Sequence, residues 1–331
     1  MNAAIEALHK FSLIKRDPDV KTLTIHRLVQ VVIKDGMDQD TQRQWAERAV
    51  RAVSEVFPSG EYETWTDCER CLPHAQICAD YIKQRGMIFP EAAQLLNRTG
   101  YYLYKRGQYE QAQPLLELCL RIRKKLFAPE HFETARILTD LGRLYFAQGR
   151  YKRAEPLLCR ALSIRKPWLE PHSDYSAYRA YTARSYNNVA ELYRKQGRYQ
   201  EADPLYQQAQ AIYEQVRGPE HPDTARVINN RAKLYHEQGE YTEAEPLYQG
   251  ALAIREKQLR PEHPDTANNL NDLAELYHEQ GKYAEAEPLY NRALKIMEKQ
   301  LGPDHPDTTK VRESYNALDR DMKRKGKRQQ H

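Results

Sequence analysis

Apolar and polar positions follow one another with a helical period along most of this chain. Leu270, Leu273, Ala274 and Tyr277 stand at i, i+3, i+4 and i+7, the stripe of an amphipathic helix. Beyond Gly281, Tyr283, Ala286, Tyr290, Ala293 and Ile296 or Met297 draw a second stripe, so two helices hinged at a glycine form one hairpin unit. The unit recurs. YEQAQPLL at 109–116 returns as YKRAEPLL at 151–158, YQEADPLY at 199–206, YTEAEPLY at 241–248 and YAEAEPLY at 283–290. Each copy follows a glycine (Gly107, Gly149, Gly197, Gly239, Gly281), at intervals of 42, 48, 42 and 42 residues. A second block precedes each glycine: GYYL at 100–103, GRLY at 142–145, AELY at 190–193 and 274–277, and AKLY at 232–235. A lone hairpin cannot bury both faces, so the pattern predicts a stack. Alanines 274, 286 and 293 are expected where helices approach closely, and the tyrosines in the gaps between hairpins.

The punctuation agrees with the period. In the connector EHPDTA, at 220–225 and 262–267, a proline suits the first helical turn and Asp223 or Asp265 lies at the positive end of the dipole. Gly218 or Gly302 can close the preceding helix. His131, His172, His221, His263 and His305 read as turn devices at helix starts rather than as metal ligands or bases. Pro114, Pro156, Pro204, Pro246 and Pro288 fall inside the second helices, where a proline costs about 3 kcal/mol. Their recurrence predicts a bend or an irregular first turn.

Composition supports an all-α class. Only 14 of 331 residues are glycine, and no succession of alternating runs supplies a large sheet. No apolar stretch approaches the roughly 20 residues that span a bilayer, and the first residues lack a secretory pattern. Five cysteines, an odd number, read as free thiols in a reducing compartment. The expectation is a soluble cytoplasmic protein without a membrane partner. The net charge of +5 arises in the last twelve residues, where six Lys/Arg face Asp321, leaving the body neutral. Basicity therefore gives no argument for nucleic acid, and 321–331 are expected to be a basic disordered tail.

The first ninety residues differ. Residues 4–14 read as a helix running into a strand, RDPD at 16–19 as a turn, VKTLTI at 20–25 as a returning strand and 26–36 as a helix. Two connecting helices follow, 41–57 with Trp45, Ala49, Ala52, Val53 and Val56 in register, and 64–85 with Trp65, Leu72, Ile77 and Tyr81. Cys68, Cys71, His74 and Cys78 have a zinc-like spacing, but on a continuous helix the outer pair would lie about 15 Å apart, too far for one ion. Metal is therefore not expected, and the cysteines read as packing residues.

The period and its blocks resemble the tetratricopeptide repeat, specifically the longer 42-residue variety of the kinesin light chain family, over roughly 90–320. The resemblance implies a right-handed α-solenoid, with five hairpins at 90–301 and a capping helix at 302–320. Residues 1–37 resemble part of the winged helix of NB-ARC (STAND) signalling ATPases, with 38–89 connecting it to the repeats. Ile25-His26-Arg27-Leu28-Val29 corresponds there to the M-H-D-L segment whose histidine approaches the nucleotide phosphate, with Arg27 in place of the acid. The CERCLPHA run at 68–75 is similar to a segment found in such proteins, which also points to packing. No phosphate-binding G-x-x-x-x-G-K-[ST] loop occurs, so the chain reads as the sensor portion of such an ATPase, without a cofactor of its own.

Candidate recognition residues lie on the face of each first helix opposite the packed stripe, which in the tetratricopeptide fold lines the concave groove. Asn97, Asn187, Asn229 and Asn271 can donate to and accept from a peptide backbone, while Arg136, Arg184 and Arg226 offer planar forks to carboxylates. Arg143, Arg194 and Lys233 join them, against Glu191 and Glu275, so the face is expected to be cationic. A merely solvated polar face is the plain alternative. The extra residues before Gly197, with Trp168, Tyr175, Tyr178, Tyr181 and Tyr186, are expected to lengthen one first helix and add packing.

The expected function is non-catalytic: capture of an extended or acidic protein segment in the groove. No nucleophile signature supports an enzyme. A stand-alone adaptor is the alternative, with an enzyme and a nucleic-acid binder behind it.

Overall fold

The computed structural model describes residues 14–17, 22–25, 35–169 and 176–329. Strands β1 (Ile14–Asp17) and β2 (Thr22–Ile25) pair antiparallel, Ile14 opposite Ile25, as the alternation anticipates. The expected flanking helices at 4–14 and 26–36, with His26, fall largely or wholly outside the described residues.

The rest is helical. Helices α1 (Gln39–Val56) and α2 (Trp65–Gln84) precede five pairs: α3 (Pro90–Lys105) with α4 (Tyr109–Leu126), α5 (Phe132–Ala147) with α6 (Tyr151–Arg165), α7 (Ser176–Lys195) with α8 (Tyr199–Arg217), α9 (Pro222–Glu237) with α10 (Tyr241–Gln258), and α11 (Pro264–Glu279) with α12 (Tyr283–Leu301). Helix α13 (Pro306–Gln329) covers the end. Each first helix packs on its own second helix, which packs on the next first helix. Leu270, Ala274, Ala286, Tyr290 and Ala293 are wholly enclosed, so the stripes predicted from spacing form the inter-helix core.

Four helix starts share one device. The Nδ1 atoms of His131, His221, His263 and His305 accept from the backbone N–H two residues on, at 3.0–3.2 Å. The histidines are thus caps, satisfying a donor the helix leaves open. The prolines expected to bend or disturb the second helices lie within continuous helical spans. The carbonyl each leaves unpaired belongs to the residue four earlier, 110, 152, 200, 242 or 284, and all five residues are exposed, where water can serve it.

Three expectations need correction. The buried face of α1 is Ala46, Val50 and Ser54, whereas Trp45 and Val56 are 54% and 65% exposed. The packed register is one residue away from the expected one, because Val50 and Phe57 join the core shared with α2 and α3 while Trp45 lies outside it under the Arg48 guanidinium. In α2, Ile77 is 51% exposed and Cys68, Ala75, Cys78 and Ile82 are buried. The tail expected to be disordered continues α13 to Gln329, and Lys323–Asp319 and Arg324–Asp321 pairs support that helix across successive turns.

The stack coils until its start touches its end. Tyr62 donates to the Gln300 side chain, and its ring meets His263 edge-on at 5.4 Å. Glu63 lies 3.8 Å from His263. His305 accepts at Nδ1, so its Nε2–H is free to donate to the Lys105 carbonyl, 3.1 Å away. Gly107 lies so close to Pro306 that a Cβ there would approach the proline ring at 2.6 Å. The inner face becomes a chamber rather than an open trough.

Candidate functional site: the inner face

Four cavities follow this face. One of about 200 Å³ between the first three pairs is lined by Arg98, Arg136, Arg165 and Arg184 against Glu61 and Asp140. One of about 150 Å³ gathers Arg143, Arg184 and Arg226 against Glu191. At the closure, about 360 Å³ is bounded by Lys105, Arg143, Arg184, Arg217 and Arg226 against Glu61, Glu63, Asp223 and Asp265. Toward the end, about 700 Å³ is bounded by Arg194, Lys195, Lys233 and Lys310 against five carboxylates, Asp272 and Glu275 among them. The face expected to be cationic is graded: cations outnumber acids near the start, and acids outnumber Lys and Arg near the end.

The arginines named from the sequence converge. Arg136, Arg143, Arg184 and Arg226 all line these inner cavities. Arg184 reaches only 3.7 Å toward Asp140, and Arg136 forms no ion pair among the described residues. Arg143 lies over the Tyr104 ring at 5.2 Å. Burial opposes its charge, but Tyr104, Tyr101 and Asp140 outweigh burial and hold the guanidinium protonated. Arg226 binds Asp223 at 2.8 Å and donates to the Tyr213 hydroxyl at 3.1 Å.

The asparagines take another place. All four are 2% exposed, and their amides are engaged within the stack. Asn97 donates to Asp140 at 2.9 Å, Asn229 to Asp272 at 2.7 Å and Asn271 to Glu275 at 2.8 Å, while Asn187 accepts from Asn230 at 3.0 Å. Asn229 and Asn271 each keep an enclosed side-chain oxygen without a partner. Arg194 is likewise 2% exposed, held by Glu191 and Glu237. Lys233 reaches Asp272 at 2.8 Å within the acid-rich cavity. Asn97, Asn187, Asn229, Arg194 and Lys233 join neighbouring repeats and Asn271 binds within α11, while the four arginines line the cavities beside them.

Spacing alone left several contributors unnamed. Asp140 and Asp272 sit one residue beyond the column read as the lining, and Arg165 comes from a second helix. The signal for the acids was their repeat column beside the chosen one, in which Asn188 follows Asp140 by 48 residues and Asp272 follows Asn230 by 42. Lys105 required the closure. No group of three or more potential metal ligands is assembled among the described residues, and α2 runs unbroken through Pro73. No described helix is long and apolar enough to cross a membrane.

A stack of helical hairpins around a polar inner chamber is an α-solenoid, a class built for recognition along its concave side. The chain belongs to the tetratricopeptide repeat family, whose profile matches residues 91–166, 181–257, 227–299 and 265–315. Residues 1–42 match a domain of unknown function, DUF7779. A nucleotide-binding leucine-rich repeat (NLR)-like protein of Hyaloscypha variabilis is 33% identical over 139 residues, 40% of this chain but 13% of that relative's length. Among solved structures, kinesin light chain TPR-like repeats from Podosopora anserina are 27% identical, covering 64% of this chain and 98% of that one, with a TM-score of 0.47. A Rap protein complexed with competence and sporulation factor has a TM-score of 0.58 at 16% identity, covering 88% and 80%. NprR in complex with its cognate peptide NprX has the same score at 14% identity, covering 83% and 73%. These last two share the fold.

Proposed function

We propose that the chain is a non-catalytic recognition module that captures an acidic protein segment within its inner chamber, as the ligand-sensing part of a nucleotide-binding signalling protein. The convergence of Arg136, Arg143, Arg184 and Arg226 on adjoining cavities carries the reading. Guanidinium groups with unused donors facing enclosed space lose little on ligand arrival and gain charge-assisted bonds to carboxylates. Lys233 extends the contact, while Asn97, Asn187, Asn229 and Arg194 hold adjacent repeats in register beside it and Asn271 braces Glu275 within α11. The NLR-like relative supports the signalling context. In that context the N-terminal hairpin belongs to a partial winged helix, and an NB-ARC ATPase domain is the partner within the assembly. The closure at Tyr62 and His263 is small and polar, so an entering segment can displace it.

The test uses synthetic 12-residue peptides graded in acidic content, read by fluorescence anisotropy. The acidic members should bind, and Arg184→Glu with Arg226→Glu should abolish binding while leaving the circular dichroism spectrum unchanged. Equal binding by the folded double variant overturns the reading.

A further inference from the structure

Counting back nine residues from the repeated block before each hinge glycine gives Glu91, Glu133, Tyr181, Asp223 and Asp265. Fourteen residues beyond the opening tyrosine of each second helix stand Arg123, Arg165, Tyr213, Arg255 and Met297. The structure brings these two columns together. Arg123 forms an ion pair with Glu133. Arg255 donates to the Asp265 backbone carbonyl at 2.7 Å, and although burial works against the Asp265 carboxylate, Arg255 and Lys105 hold it below its usual range. In the third hairpin the arginine is replaced by Tyr213, whose hydroxyl accepts from the Arg226 that Asp223 binds. Where α6 meets α7 the arginine remains, but the acid has become Tyr181.

Arg165 is consequently a guanidinium 1% exposed with no ion pair among the described residues. Its Nη1 donates to the Thr139 and Ser185 hydroxyls at 2.9 and 2.6 Å, and its Nε has no partner. The Phe132 and Tyr181 rings lie 5.2 and 5.7 Å away, a weak substitute for a carboxylate. Three more arginines border the same cavity, against two acids already engaged: Asp140 accepts from Asn97, and Glu61 from Tyr101. Burial, then the Arg184 charge, pushes Arg165 down to about 10, and burial with Arg136 also pushes Arg98 down. Buried charges are ordinarily paired; Arg123 has its ion pair and Arg255 has Asp265 beside it, whereas Arg165 meets a tyrosine at the acid's position.

We propose that this cavity is a phosphate-binding site in which Arg165, Arg136 and Arg184 hold a dianionic phosphate group in the place of the missing repeat carboxylate. Four guanidiniums against two carboxylates leave an excess of two positive charges. A phosphate carries about 1.5 to 2 negative charges at neutral pH and offers oxygens to several forks at once. The inference deepens the recognition reading, and rests on it only for the source of the group, a phosphorylated residue of the captured segment or free phosphate.

Inorganic phosphate is titrated by calorimetry and thermal melting at constant ionic strength, with chloride as the compensating anion. Wild type should show saturable binding and a rising midpoint. Arg165→Met should weaken binding at least tenfold. Tyr181→Glu, which restores the repeat acid on the half-exposed side of the cavity, should abolish phosphate binding and raise the midpoint in phosphate-free buffer. Arg123→Met, at the paired equivalent, should leave phosphate affinity unchanged. Absence of saturable binding to wild type overturns the inference, as does full binding by folded Tyr181→Glu. Acidic-peptide capture can survive that failure, because neither Arg165 nor Tyr181 belongs to the double variant that tests it. A serine-phosphorylated peptide binding tenfold tighter than its unphosphorylated form identifies the partner as the source; phosphate binding without that gain identifies the free ion, and either result supports the site.

Discussion

Asn229 donates its side-chain amide to Asp272 at 2.7 Å across the boundary between two repeats, and Lys233 reaches the same carboxylate oxygen at 2.8 Å. Asn97 makes the equivalent bond to Asp140. The ladder offsets much of the cost of burying these acids, since Asp140 and Asp272 each receive a donor from the preceding hairpin. Asn229→Ala removes one donor from an enclosed carboxylate and should cost about 1–3 kcal/mol. Urea unfolding with an unchanged slope but a lower midpoint checks this, and an unchanged midpoint would show that water replaces the amide at no cost.

The same carboxylate sets an acid limit. Burial works to raise the Asp272 pKa, but Lys233, Lys310 and Asn229 outweigh burial and hold it below its ordinary value of 3.8. A carboxylate depressed in the folded state contributes stability that is full above the unfolded value and is lost as pH falls through the folded one. Melting temperature should decline below pH 3.8, and Asp272→Asn should decline less steeply over that interval. Parallel declines would assign the acid loss to other groups.

Closure of the coil is testable with two glycines. Gly107 and Gly149 have φ of +74° and +71°, so alanine is strained at both by about 1–2 kcal/mol. Only at Gly107 does the added methyl meet the cap, 2.6 Å from Pro306, while nothing lies within 4 Å at Gly149. Both variants should lose similar intrinsic stability, but Gly107→Ala alone should enlarge the radius of gyration by small-angle scattering and speed amide exchange near His305. Identical scattering from the two would mean that the cap yields without opening.

Thiol reactivity should follow burial. Burial pushes the Cys78 thiol up to about 11 and Cys119 to about 12, and Cys119 is wholly enclosed with its Sγ 3.1 Å from the Ala93 carbonyl. Thiolate is the reactive form, so both should resist iodoacetamide at pH 8 in the native state. The half-buried Cys71 and Cys159 should be modified first, as read by peptide mass spectrometry, and early labelling of Cys119 would show that α4 opens locally.

Much of this was legible in the chain. The stripe at Leu270, Leu273 and Ala274, the glycine hinges and the capping role of the connector histidines depend on neighbours within a turn or two, which spacing reports directly. The register of α1 did not follow, because Trp45 and Val50 are both apolar and only the position of α2 and α3 decides between them. The arginine column could be named, but not that Arg194 is consumed by Glu237 while Arg136 has no ion pair among the described residues.

The sequence by itself determined the hairpins, their order and the face turned inward, because a helical period of 3.6 residues and a repeat of 42 are properties of local geometry. Tertiary structure alone decided the pairing of charges, since Asn229 and Asp272 are 43 residues apart and Tyr62 and Gln300 are 238 apart. Electrostatic energy depends on separation in space and on the water excluded between groups. The period shows that Tyr181 stands where other repeats carry an acid, but that Arg165 faces this position is settled only where α6 packs against α7.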